Sequence, residues 1–234
     1  DNYRRWADGK LEGFTDKMDD LLVEINNPLS ISTAEKSQIN QIIKSKNVVF
    51  FDVNKPIPDK KKQIKAYASI FGMGDYELDS KSDTDGLTEI KYNKKTQQDI
   101  EYIPYSNKQL NWHTDGYYDR RPIFSWLLHC VNPATQGGEN YLLDHELALR
   151  EYVLRYDDIN NLMSEDALTI PESKDTSRSE ISTYIFSIKN QYKKLHMRFS
   201  MRKDNIGTSP KASLAVTKLK KIIENDCAKY SLTY

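Results

Sequence analysis

The sequence has few of the residues that form disulfides, metal clusters or membrane spans. It contains two cysteines among 234 residues, and Cys130 and Cys227 lie in unrelated contexts without a metal-binding or redox spacing. No apolar run approaches the roughly 20 residues that a transmembrane helix needs. The opening residues, DNYRRWADGK, lack the apolar segment of a secretory signal. We therefore expect a cytoplasmic protein that does not bind a membrane.

The sequence also lacks an excess of charge of either sign. Lysine and arginine number 34, aspartate and glutamate also number 34, and the formal net charge is therefore zero. Because no basic stripe is interleaved with aromatic residues, the sequence does not favour a nucleic-acid partner. Hydrophobic residues make up 38% of the chain, which supports a packed core and excludes wholesale disorder. The length predicts a single domain over residues 1–234.

The first third of the sequence alternates between strand and helix patterns. Residues 21–25 predict a short strand, and Ser32 or Thr33 can cap the helix that follows. The apolar run over residues 47–53 is typical of a buried strand. A second helix is expected after it. We predict that residues 1–75 form a strand and helix buttress within the domain.

The second half of the sequence is richer in strand patterns. Residues 124–131 read as an apolar strand, and residues 195–202 alternate between an apolar and a polar face. Arg198 and Arg202 share the polar face, where their planar guanidinium groups are candidates for binding an anionic substrate. An exposed sheet face with two solvated arginines remains an alternative.

Histidine is scarce, with four in the chain, and His113 has the most informative surroundings. It stands two residues before Asp115 in the segment WHTDGYY. In an extended segment this spacing places both side chains on one side, where two ligands of a facial metal triad could meet. A loop histidine beside a turn-capping aspartate would give the same triplet.

Three segments carry a resemblance to a known family: NWHTDGYY, LLHCVNPATQGGENYLLDHE and LHMRFSMRKDNI. Together they resemble the taurine dioxygenase-like superfamily of Fe(II)/2-oxoglutarate-dependent oxygenases. The resemblance implies an α+β fold with a distorted double-stranded β-helix (jelly roll) core and flanking helices. It also implies an Fe(II) cofactor, 2-oxoglutarate as cosubstrate, O2, and hydroxylation or other oxidation of a small polar or anionic substrate.

The resemblance assigns roles to particular residues. His113 and Asp115 match the first two metal ligands of the family. Asn140 stands where the family has a polar residue near the 2-oxoglutarate carboxylate, although it is equally typical of a turn after two glycines. Tyr117 would lie at the substrate pocket. A homo-oligomer is compatible with this assignment.

The sequence departs from the family pattern in its last part. The family has a distal histidine ligand and an arginine that pairs with 2-oxoglutarate, whereas this chain has no histidine after His196 and no arginine after Arg202. We therefore expect a domain truncated at its C-terminus. Among the other histidines His196 is the most plausible substitute ligand, but its strand resembles the family strand that precedes the distal histidine, so we do not expect it to bind the metal. His129 and His145 are instead expected in the core and at a helix start.

Two other functions remain open at this point. A catalytically silent protein could keep the fold as a binding or structural module. A cupin-like metal hydrolase or isomerase would also fit an HxD motif on a β-barrel.

Overall fold

The structure is a computed structural model that describes residues 2–74, 85–91, 109–119, 121–172, 178–189, 194–202 and 209–233. It is a mixed α and β protein, as the sequence predicts. The helices are α1 (Asn2–Glu12), α2 (Thr33–Lys46), α3 (Lys60–Ile70), α4 (His145–Val153) and α5 (Pro210–Lys221). The strands are β1 (Leu22–Ile25), β2 (Phe50–Val53), β3 (Tyr141–Leu143), β4 (Leu168–Ile170), β5 (Ile181–Thr183), β6 (Phe186–Lys189), β7 (Lys194–Met197) and β8 (Ser231–Thr233). No helix in these ranges is both long and apolar enough to cross a membrane.

The N-terminal region is built from consecutive segments, and its predicted strands and helices are confirmed. Strands β1 and β2 pair in parallel, with α2 as the crossover between them. Helix α2 begins at a capping box, in which the Ser32 hydroxyl accepts from the Glu35 amide at 3.2 Å and the Glu35 carboxylate accepts from the Ser32 amide at 2.7 Å. It ends at Asn47, which adopts a left-handed conformation with φ 61°. Local sequence signals therefore define both ends of this helix.

A small apolar core joins β1, α2 and α3. It is formed by four buried residues, Val23, Ile25, Ile39 and Tyr67. Phe51 stacks on the ring of Tyr67, with centroids 5.7 Å apart, and extends the core towards the end of α3. The N-terminal region thus has its own hydrophobic centre.

The remaining strands form antiparallel pairs. One pair joins strands that are far apart in the sequence, and the other two join consecutive strands. Strand β3 pairs with β8, β4 with β5, and β6 with β7. Together with the β1–β2 pair, they form four separate two-stranded sheets within the described residues, and these sheets do not close into a jelly roll. A second, larger core lies among them and includes Tyr152, Leu162, Phe186 and Leu219.

The predicted strand over residues 124–131 is wrong. These residues form no strand, and three alternate apolar side chains, Phe124, Trp126 and Leu128, are exposed. Leu127 packs against the N-terminal core instead. Apolar and β-branched residues favour a pleated, half-buried surface, but a strand also needs a backbone partner. No described residue supplies that partner here.

The two regions meet at Asp144, the N-cap of α4. Its carboxylate accepts from the α4 amide of Glu146 at 2.9 Å, from the Asn47 side-chain amide at 3.1 Å and from Lys10 Nζ at 3.0 Å. The carboxylate therefore satisfies a free helix amide and also ties α1 and the end of α2 to the start of α4. This contact anchors a helix whose first residue, His145, borders the candidate site.

Candidate metal centre

A short antiparallel pairing holds the segment that contains the HxD motif. His113 lies opposite Ser200 in an isolated β-bridge. The amide of the next residue, Thr114, donates to the Phe199 carbonyl at 3.0 Å, and the Phe199 amide donates to the Thr114 hydroxyl at 3.1 Å. The backbone on both sides of the His113 side chain is therefore fixed to the segment after β7.

The imidazole of His113 lies between a backbone carbonyl and a carboxylate. Its Nδ1 is 2.7 Å from the Asn111 carbonyl oxygen, and its Nε2 is 3.4 Å from Asp115 Oδ1. A carbonyl oxygen only accepts, so Nδ1 carries the hydrogen in this contact and Nε2 is left to face the carboxylate. A hydrogen bond of this kind sets the tautomer of metal-binding histidines.

Electrostatic contacts favour the protonated form of His113 when no cation is present. The hydrogen bond to Asp115 raises the pKa of His113 above its usual value, partial burial opposes the rise, and the Asn111 carbonyl adds to it. The two side chains are 30% and 50% exposed, so an ion in solution can reach both. A cation that bound here would displace the proton from Nε2.

The chain turns sharply directly after Asp115. Gly116 adopts φ +61°, and a Cβ at this position would lie 2.3 Å from Ile123 Cγ1. The Asp119 amide donates to the Gly116 carbonyl at 3.0 Å and closes the turn. Only glycine fits both the left-handed backbone and the close approach of Ile123.

Arg198 contacts the same turn. It is 3% exposed, and its Nη1 donates to the carbonyls of Tyr117, at 3.3 Å, and Asp119. Burial lowers the pKa of Arg198, while the Tyr184 hydroxyl and the Asp119 carboxylate act in the opposite direction. The alternative of a solvated arginine is therefore wrong for Arg198, whereas Arg202 is exposed.

A small cavity adjoins His113, and its walls are mostly apolar. Besides His113, Thr114 and His145, its lining consists of Trp112, Leu143, Ala148, Met197, Phe199 and Ile223. His145, which the sequence places at a helix start, does begin α4, but it also borders this cavity and its Nε2 donates to the Leu195 carbonyl at 3.2 Å. The sequence signal for this position is that His145 comes two residues after β3, but nothing in the sequence shows that β3 ends beside His113.

His196 lies apart from His113 and Asp115. Its Nε2 is 3.2 Å from the Ile123 carbonyl oxygen, and its ring packs 5.4 Å from Phe124. Its neighbour Met197 lines the cavity beside His113, and alternate residues of an extended strand face opposite sides. The described residues contain no group of three or more histidine, cysteine, aspartate or glutamate side chains placed to hold a metal ion.

The other two predicted site residues make local contacts. Asn140 is exposed, and its side-chain amide donates to the Gly138 carbonyl at 3.2 Å. Tyr117 is buried, and its ring packs edge-on against Tyr118 with centroids 5.2 Å apart. The roles of Asn140 and Tyr117 in contacting 2-oxoglutarate and substrate thus stay predictions.

The comparison with protein families agrees with the resemblance seen in the sequence. The model of the taurine catabolism dioxygenase TauD, TfdA family matches residues 12–180, a span that includes His113, Asp115 and Asn140. No curated protein and no solved structure matches the chain. The matched span is more than half of the 234 residues. The chain therefore belongs to the taurine catabolism dioxygenase TauD, TfdA family.

Proposed function

We propose that this chain is an Fe(II)- and 2-oxoglutarate-dependent dioxygenase that oxidises a small polar or anionic molecule with O2. Membership of the family supports the type of reaction. One observation supports its location: His113 Nε2 faces Asp115 Oδ1 at 3.4 Å while Nδ1 is held by the Asn111 carbonyl.

The donor atoms fit the proposed metal. One imidazole nitrogen and one carboxylate oxygen are two of the three ligands in the facial triad of non-haem Fe(II) oxygenases. In this chain His113 and Asp115 would supply them, and the Asn111 carbonyl would keep the Nε2 lone pair directed at the ion. When bound, iron supplies the activation of O2 that couples decarboxylation of 2-oxoglutarate to oxidation of the substrate.

The protein itself would supply placement and shielding. The apolar cavity wall beside His113, which includes Met197 and Phe199, would keep water from one side of the site. Asn140 is proposed to donate to a 2-oxoglutarate carboxylate, which requires its amide to leave the Gly138 carbonyl. Contact of Tyr117, Arg198 and Arg202 with the substrate stays a prediction.

We also propose a single domain with a distorted jelly-roll core, which residues 1–75 buttress. Membership of the family supports the jelly-roll core. The contacts of Lys10 and Asn47 with Asp144 support the buttress, because they tie α1 and the end of α2 to the start of the helix beside the site. The core of β1, α2 and α3 would then brace the sheets rather than take part in the reaction.

Succinate formation tests the proposed activity. Protein prepared without oxygen receives Fe(II) and 2-oxoglutarate, and succinate is measured after air is admitted, first without substrate and then with small sulfonates, betaines and amino acids. We expect Asp115→Asn to lower turnover on the order of 100-fold or more, since an amide replaces an anionic ligand. Asp52→Asn, an exposed carboxylate on β2, is the matched control and should retain wild-type turnover.

Two outcomes would contradict the proposal. If no succinate forms above the iron-free background, the protein is a silent member of the family that binds rather than oxidises. If Asp115→Asn turns over 2-oxoglutarate like the wild type, the metal lies elsewhere in the chain.

A further inference from the structure

The residue before Asp115 is held by hydrogen bonds to the segment after β7. Thr114 exchanges two hydrogen bonds with Phe199, one through its amide and one through its hydroxyl. Asp115 is thus the first residue beyond a fixed segment, and the turn decides where its carboxylate goes. Gly116, with φ +61°, gives the turn a shape that any other residue would strain.

The far end of the turn is held by one buried side chain. Nη1 of Arg198 donates to the carbonyls of Tyr117 and Asp119, two and four residues after Asp115. The backbone of Arg198 is itself fixed, because its amide donates to the Ile185 carbonyl at 2.8 Å. The guanidinium therefore joins the turn to the strands of the core.

The burial of Arg198 indicates a role within the protein rather than at its surface. A buried guanidinium needs hydrogen-bond partners to offset its desolvation, and the turn carbonyls provide them. Arg198 is also not among the residues that line the cavity beside His113.

We propose that Arg198 is a positioning residue, which holds the turn after Asp115 so that the Asp115 carboxylate stays opposite His113 Nε2. The inference rests on the proposed function, because it assumes that these two side chains bind the metal. It differs from the predicted role of Arg198 in binding substrate, since here the arginine acts through the shape of the turn and contacts neither metal nor substrate.

Metal affinity tests this role without any need for turnover. Co(II) alone is titrated into the metal-free protein and binding is followed by visible absorption, for the wild type, Arg198→Met and Arg150→Met. Arg150 is the matched control, since its side chain is 12% exposed and its Nε donates to the Ala7 carbonyl of α1 at 3.2 Å rather than to the turn after Asp115. We expect Arg198→Met to weaken Co(II) binding about 10-fold or more, as loss of residues that orient ligands does, and Arg150→Met to leave it within about twofold.

Equal Co(II) affinity of the wild type and a folded Arg198→Met variant would overturn the inference and leave the proposed function intact. An equal loss in Arg150→Met would overturn it too, because general destabilisation would then explain the effect. If Arg198→Met does not fold, Gly116→Ala takes its place, and wild-type affinity in that variant would overturn the inference. Asp115→Asn separates the two proposals: if it does not weaken Co(II) binding, the metal site itself is wrong.

Discussion

The N-terminal region and the region around His113 bury polar groups to very different degrees. Among the described residues, Gln63 is the only buried polar side chain of the N-terminal region. The described residues from 109 onwards bury five, namely Glu151, Thr183, His196, Arg198 and Ser200, and the last two contact the HxD segment or the turn that follows it. Buried polar groups must find partners, and several of these partners are backbone groups of other segments. The difference shows that the N-terminal region is organised by apolar packing, whereas the second region combines a larger apolar core with specific polar contacts that set the shape of a site.

The two regions also differ in how far apart their partners lie in sequence. Strands β1 and β2 are joined directly through α2. His113 instead pairs with Ser200, and Tyr141 pairs with Thr233. Long-range pairings carry a larger loop-closure cost and depend on the core that forms around them. The site should therefore be more sensitive than the N-terminal region to changes in the second core.

The largest expected effect comes from Phe186→Ala. Phe186 is fully buried and lies opposite Met197 in the β6–β7 pair, and Met197 lines the cavity beside His113. Loss of this ring should lower the free energy of unfolding by about 3–5 kcal/mol. Urea denaturation measures this loss, and Co(II) titration of the folded protein should show weakened binding. Unchanged Co(II) affinity would remove the proposed link between the second core and the site.

Ile39→Ala applies the same kind of change to the N-terminal core. Ile39 is fully buried in α2, so its truncation should cost about 2–5 kcal/mol in urea denaturation. Below the denaturation midpoint we expect Co(II) affinity equal to that of the wild type, because Trp112 and Tyr117, on either side of the HxD motif, pack in the second core. A parallel loss of Co(II) affinity would mean that the two regions are not separable in this way.

A smaller, pH-dependent effect is expected at the capping box of α2. The hydrogen bond from Ser32, with the amides of Asn26 and Ser32, lowers the pKa of Glu35 to about 2. A depressed carboxyl pKa stabilises the folded state above the unfolded pKa of about 4.5, and this stabilisation is lost as the pH falls from there to about 2. Glu35→Gln should therefore reduce the acid sensitivity of thermal unfolding in this window. The same acid sensitivity in the variant would show that Glu35 does not contribute.

The smallest expected effect is a change of one pKa within the site region. Asp115→Asn removes the main contact that raises the pKa of His113, so the pKa should fall in the metal-free protein. A raised histidine pKa stabilises the folded state below the unfolded pKa, and this contribution disappears as the pH rises through the folded pKa. Titration of the imidazole resonances by NMR measures the shift. Glu139→Gln, on an exposed loop, should leave the pKa of His113 unchanged.

By itself, the sequence determined β1, α2, β2 and α3, the glycine turn before β3 and the proximity of His113 to Asp115, but it did not predict α1. These features depend on signals within a few residues: the Ser32 cap, the apolar run of β2, the left-handed glycines 137 and 138 and an i, i+2 spacing. The family resemblance also followed from short motifs, and the family match confirms it.

The tertiary structure decided what the residues of the second half contact. Residues 124–131 have the composition of a strand but no backbone partner among the described residues, and Arg198 faces two turn carbonyls rather than solvent. His145 borders the cavity and His196 does not, although the sequence made His196 the more plausible of the two as a metal ligand. The physical reason is the same in each case. Pairing and burial depend on segments tens of residues away, whose positions no local pattern encodes.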